Sequence, residues 1–114
     1  MTTFNERERA FEAKFAHDQD LRFRLTARRD KLFADWVADQ LHLVEPSRAE
    51  LTTSVLHVTD GPGHDARLME HVATRYSDQG CVPHEDELSA ALTRCAALAH
   101  QQLLDDPRWS VGSS

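Results

Sequence analysis

Hydrophobic positions change their spacing part-way through the first forty residues. Phe4, Phe11 and Phe15 stand seven and four apart, with Glu6, Arg7, Glu8, Arg9, Glu12 and Lys14 around them. From Leu21 the apolar positions widen into a stripe: Leu21, Leu25, Leu32, Phe33, Trp36, Val37 and Leu41 recur at three- and four-residue steps. At 100° per residue the three phenylalanines fall on one narrow strip, thinner than the three or four apolar residues per two turns of a core helix. No glycine or proline interrupts Phe4 to Ala38, and the run is rich in Glu, Arg, Lys, Ala and Leu. Those residues lose little side-chain freedom in a helix, and glycine and proline are its breakers. The stretch predicts one continuous helix roughly 50 Å long at ~1.5 Å per residue. That is longer than a small domain is wide, so one end must project or fold against something else. Thr2 and Thr3 are candidate N-caps, since a hydroxyl accepts a free amide at a helix start.

Three further helices follow. Val44-Glu45-Pro46 ends the first, because the residue before proline avoids the α region. Ser47-Arg48-Ala49-Glu50 has the S-x-x-E spacing of a capping box. It opens a second helix with Leu51, Val55 and Val58 on one face, running to Asp60-Gly61-Pro62-Gly63. A third helix is expected from His64 to Gln79, with Leu68, Val72 and Tyr76 as its core row, Met69 and Ala73 beside them, and Gly80 just past its end. Cys81-Val82-Pro83 leads into a fourth, with Glu85, Asp86 and Glu87 in a first turn that favours negative charge. Leu88, Ala91, Leu92, Cys95, Leu98, Ala99, Gln102 and Leu103 keep helical spacing up to Asp106-Pro107. No strand and no repeat is evident. Four helices with short connections predict an all-α four-helix bundle. Residues 107–114 read as a loose tail in which Trp109 packs back or stays free.

Composition narrows the function. A chain of 114 residues with 40% hydrophobic residues can build one modest core. The net charge of -6 argues against general nucleic-acid binding, which needs many phosphate-neutralising cations. The basic group Arg22, Arg24, Arg28, Arg29 and Lys31 reads first as a solvated face paired with Asp18, Asp20, Asp30 and Asp35. Its best functional use is an acidic partner surface. No run approaches the ~20 apolar residues of a membrane span, and the N-terminus has no apolar core of a secretory signal. Acids at Glu6, Glu8, Glu12, Asp18 and Asp20 argue against an organelle transit peptide. The expectation is a cytoplasmic protein with two free thiols, Cys81 and Cys95.

Chemistry is thinly signalled. His57, His64 and His71 are seven apart, so two on one helix stand ~10 Å apart, too far for one ion with bonds of ~2.1 Å. No H-x-x-x-H or C-x-x-C pair occurs, and surface histidines are expected. No G-x-S-x-G elbow appears, and Gly61-Pro62-Gly63 lacks the Lys and Ser/Thr of a phosphate loop. An enzyme, metal-dependent or otherwise, ranks last. The aromatic strip leaves two readings open: folding back on the bundle, or anchoring on a partner, where buried aromatics commonly carry binding. A thin helix with a few large anchors suits a segment that orders on binding.

The run Phe4 to Asp18, FNERERAFEAKFAHD, followed by Leu21-Arg22-Phe23 and Ala27-Arg28-Arg29-Asp30-Lys31-Leu32, is similar to one family: the ζ, or ATPase inhibitor, subunit of alphaproteobacterial F-type ATP synthases. The likeness is close over the first third of the chain and holds in outline beyond it, through a glycine-containing turn before the third helix and Gln102-Leu103. It implies a four-helix globular domain, residues 20–106, and a mobile N-terminal arm, residues 1–19, that projects from it. In the family the arm inserts between an α and a β subunit of the catalytic head, near γ, and opposes hydrolysis while leaving synthesis open. The implied partner-binding residues are Phe4, Asn5, Glu6, Arg7, Glu8, Arg9, Phe11, Glu12, Lys14, Phe15, His17 and Asp18. Phe4, Phe11 and Phe15 would be anchors and the charged residues would set register. Asn5 stands where the family usually has an acid. The resemblance implies no cofactor beyond weak nucleotide binding in some members, and no such site maps onto these residues. It places the protein at the inner membrane only through the synthase, without insertion. The alternative is a small helical adaptor or ligand-binding module that keeps the motif without strong inhibition.

Overall fold

A computed structural model describes residues 2–106, with the side chains of 9–10 and 16–106. It contains four helices: α1 (Thr2–Gln40), α2 (Ser47–Leu56), α3 (His64–Asp78) and α4 (Glu85–Asp105). No strand occurs among the described residues. The fold is the expected all-α bundle. Thr2 and Thr3 already lie within α1, not at its cap.

The glycine- and proline-free run forms one helix of 39 residues, about 58 Å at ~1.5 Å per residue. It sets the long dimension of a molecule measuring 66 × 28 × 26 Å. α1 is the spine, packed most extensively against α4 and then α2, while α2 meets α3. Its C-terminal half supplies Phe33, Ala34, Val37, Ala38 and Leu41 to the core, against Leu51 and Val55 of α2, Leu68, Val72 and Tyr76 of α3, and Leu88, Ala91 and Cys95 of α4. Ala34, Ala38, Ala91 and Ala99 are buried, and such small side chains let α1 and α4 approach closely. Phe33 also stacks on Trp36, ring centroids 6.0 Å apart.

The helix ends differ from the sequence reading in three places. α1 stops at Gln40, before the proline. His42 turns left-handed at φ 56, the Leu43 amide donates to the Ala38 carbonyl (2.9 Å) and the His42 amide to Asp39 (3.2 Å). This is a Schellman ending, which satisfies two of the orphan carbonyls of the last turn. α3 ends the same way around Gly80 (φ 73), with Cys81 donating to Tyr76 and Gly80 to Ser77. The capping box at Ser47 does not form. Pro46 occupies the cap, with no side-chain cap bond; proline has no amide hydrogen to leave unsatisfied there. Glu50 is thereby one position too deep to reach back. Arg48 instead fastens the start of α2 to α1, through Asp39 (2.8 Å) and the Asp35 carbonyl (3.3 Å). α2 also ends at Leu56 rather than near Asp60, and Val58 packs half-buried from the following turn.

Leu98, expected on the core row of α4, is exposed, and so is Leu104. Ala91, Cys95 and Ala99 define the buried row instead, with Leu103 at its end. Cys81 and Cys95 are free thiols, one exposed and one buried. No helix among the described residues is long and apolar enough to cross a membrane.

Candidate functional site: a long helix and its anchored root

α1 carries two kinds of surface on one backbone. α4, its longest partner, has 21 residues. Its last turns meet α1 at residues 20–32, where Gln102 accepts from Arg28 (3.1 Å) and Leu103 shares a groove with Asp20 and Phe23. Every described side chain N-terminal to Leu21 is exposed: Arg9, Ala10 and Ala16 through Asp20. Leu21 is the first half-buried position. Of the twelve residues expected to bind a partner, the described side chains are Arg9, His17 and Asp18, all exposed. Those of Phe4, Asn5, Glu6, Arg7, Glu8, Phe11, Glu12, Lys14 and Phe15 lie outside the described residues, though their backbone is helical.

The root of the helix is fixed by a polar clasp that the sequence reading did not foresee. Asp30 is only 3% exposed and His64, the first residue of α3, 9%. Asp30 falls in the row Asp30, Phe33, Ala34, Val37, Leu41, an acid on a core face, and that spacing is the signal that could have found it. Its Oδ2 lies 2.7 Å from His64 Nε2, and His64 Nδ1 lies 2.9 Å from the Thr59 carbonyl oxygen. Arg29 donates to Asp30 Oδ1 and, through both terminal nitrogens, to the two oxygens of Asp65 at 2.8 and 3.3 Å. Buried charges persist only when paired and hydrogen-bonded in this way.

The clasp fixes protonation as well as position. A carbonyl oxygen can only accept, and so can an ionised carboxylate. Asp30 Oδ1 accepts from Arg29, Asp30 Oδ2 faces His64 Nε2 and the Thr59 carbonyl faces Nδ1, so a His64 ring that donates from both nitrogens, the imidazolium, satisfies both acceptors. Burial works against that charge, but the Thr59 carbonyl and Asp30 outweigh it, and the His64 pKa is raised. Burial likewise opposes the Arg29 charge and is overcome by Asp65 and Asp30. The Arg29 fork lowers the Asp65 pKa. The basic group of α1 is therefore not one solvated face. Arg24 pairs with Asp20 at the surface, as expected, whereas Arg29 and Asp30 are drawn into the joint with α3.

The histidines were expected at the surface. His64 is buried and His71 half-buried, while His57 is exposed. His71 Nε2 lies 2.8 Å from Ser54 Oγ, but that hydroxyl donates to the Leu51 carbonyl (2.8 Å). The ring nitrogen must then donate to the serine oxygen, so the pair does not generate a nucleophile. Burial, then Arg75, lowers the His71 pKa. Among the described residues no three His, Cys, Asp or Glu side chains gather around a metal position.

The first helix of this small bundle is nearly twice the length of its longest partner. The chain belongs to the family described as ATPase inhibitor subunit zeta, whose model matches residues 1–102. The match takes in the first part of α1 and all of the bundle up to Gln102, and membership makes the protein a regulatory subunit of an ATPase. No curated protein and no solved structure matches the chain.

Proposed function

We propose that residues 1–19 are an inhibitory arm that binds the catalytic head of an F-type ATP synthase at an α/β interface, and that residues 20–106 are its handle. Hydrolytic rotation closes the interface on the arm, whereas rotation in the synthetic direction opens it and releases the helix. Phe4, Phe11 and Phe15 are the anchors. Arg7, Arg9 and Lys14, with Glu6, Glu8 and Glu12, pair with charges on the two subunits, and His17 and Asp18 lie where the helix leaves the interface. The protein attaches to the membrane only through the synthase.

The observation that carries this reading is the continuity of α1. One uninterrupted helix runs from Thr2 to Gln40, and its described side chains before Leu21 bury nothing in the bundle. A wedge needs this construction: order along its length, and a body too large to follow it into the interface. The family match supports the target, since it names an ATPase inhibitor and includes the arm.

The test is a photo-reactive phenylalanine analogue at position 11 or 15, with purified synthase head hydrolysing ATP. The proposal expects cross-links to α and β that disappear when hydrolysis is prevented. Cross-links confined to one exposed subunit surface, or unaffected by turnover, would exclude insertion.

A further inference from the structure

An open cleft of about 450 Å³ lies beside the root of α1, walled by Arg22, Thr26 and Arg29 of α1 and by Asp60, Gly61 and His64. Asp60 and Gly61 belong to the loop 57–63, which joins α2 to α3. Thr59 to Gly63 are exposed, and two side chains of α3 hold the loop at Thr59. His64 Nδ1 stands 2.9 Å and Arg67 Nη2 2.8 Å from the Thr59 carbonyl oxygen. Arg67 also reaches the Asp60 carbonyl (3.4 Å). On its other side the His64 ring meets Asp30 Oδ2 at 2.7 Å, so the ring bridges an exposed loop and the buried face of α1. The charged groups around it are Arg29 and Asp30 of α1, Asp65 and Arg67 of α3, and Arg22 and Asp60 on the walls of the cleft.

We propose that loss of a proton from His64 to solvent unfastens this loop at Thr59 while leaving the ring on Asp30, a pH-operated latch on the wall of the cleft. A neutral imidazole has one N–H, so its other nitrogen turns a lone pair toward an oxygen that can only accept. Two contrasts decide which contact yields. Asp30 is 3% exposed, and His64 is the partner of its Oδ2 among the described residues. A buried carboxylate oxygen left without a donor is costly. The Thr59 carbonyl, by contrast, keeps Arg67 and stands in an exposed loop, where water replaces the lost donor at little cost. The remaining proton therefore stays on Nε2, facing Asp30 in a weaker bond, and Nδ1 is repelled by the carbonyl. Burial lowers the His64 pKa, and the Thr59 and Asp30 bonds raise it by more, so the latch stays closed above the pH at which a free histidine titrates. Rising pH opens it, and the cleft beside the root of α1 loses a fixed wall. The latch does not rest on the inhibitory role of the arm.

The test is nitrogen-15 NMR of the full chain from about pH 5 to pH 9, following the His64 ring nitrogens and the backbone amides together. The latch predicts two protonated ring nitrogens at the acid end and the Nε2–H tautomer at the alkaline end. Through the same titration the order parameters of the Thr59, Asp60 and Gly61 amides should fall from near ~0.85 toward ~0.6, while those of Asp30 and Phe33 stay near ~0.85. His64→Gln, which takes no proton, should abolish the pH dependence of the loop. An Nδ1–H tautomer at the alkaline end overturns the proposal, because Asp30 is then the contact given up. Loop order parameters that do not change through the titration, or that change equally in His64→Gln, overturn it too. A ring still doubly protonated at the alkaline end does so as well.

Discussion

The two halves of α1 share a backbone and little else. From Leu21 onward the helix is held by what it touches: Phe33, Ala34, Val37 and Ala38 are fully buried, Arg48 grips its last turns, and the Asp30 clasp ties it to α3. Full burial of residues such as Phe33 and Val37 is worth roughly 1.5–3 kcal/mol each. Before Leu21 the described side chains are exposed. The contrast separates two reasons for a helix. The root is helical because packing requires it. The first half is helical because its sequence contains nothing that breaks a helix and much that favours one. Isolated helices are marginal in water, so a segment of the second kind gains most of its order when a partner supplies the missing face.

Substitutions that act on one half and not the other can break this comparison. The largest effect belongs to the root. Phe33→Ala should cost about 3–5 kcal/mol in chemical denaturation, as expected of a large side chain removed from a close-packed core. Asp30→Ala should cost a comparable ~3–5 kcal/mol, because it leaves Arg29 and the His64 ring without their buried counter-charge. A loss well under ~1 kcal/mol for Asp30→Ala would mean that the clasp relaxes into solvent when the acid is removed.

The two partly enclosed histidines give opposite pH dependences. His64 has a raised pKa, so its contribution is complete below the unfolded value near 6.5 and is lost as pH rises through the folded value. The bond at stake, a hydrogen bond between charged groups, is worth roughly 1.5–3 kcal/mol. His71 has a lowered pKa, so stability is lost as pH falls below about 6.5. Denaturation midpoints between pH 5 and 8 should show that His64→Gln flattens the alkaline side and His71→Gln the acid side. If His64→Gln leaves the alkaline side unchanged, the imidazolium assignment is wrong.

Smaller effects sharpen the boundary. His42→Gly should stabilise the protein by up to about 1 kcal/mol, since glycine accepts the left-handed turn that a side chain disfavours. Phe11→Ala combined with Phe15→Ala should shift stability by less than ~0.5 kcal/mol, the range of sites outside a core, while weakening inhibition. A loss of stability like that of Phe33→Ala would show the aromatic strip folded onto the bundle.

Much of this was legible in the residues. The unbroken run from Phe4, the change of spacing near Leu21, the Leu68, Val72, Tyr76 row and the Gly80 ending are local signals, and helices express local signals directly. The parts that were not legible depend on neighbours distant in sequence. Asp30 reads as one more charge on a charged helix until His64, 34 positions away, is brought against it. The alanines of α1 and α4 were outweighed by larger side chains in a reading of spacing, yet they set how closely those helices meet. The capping pattern at Ser47 was correct as a pattern and displaced by the proline before it. The family itself was legible in the run from Phe4 to Asp18, whereas spacing alone left fold-back and partner binding equally open for the aromatic strip.

The central claim is that α1 divides near residue 20 into a binding segment and a structural root. Deleting residues 1–19 and reading two quantities on the same preparation tests it most directly: thermal unfolding of the free protein, and ATP hydrolysis by purified synthase head in its presence. The division predicts an unfolding midpoint close to that of the full chain together with complete loss of inhibition. Undiminished inhibition by the truncated protein, or a bundle that no longer folds without the arm, would contradict it.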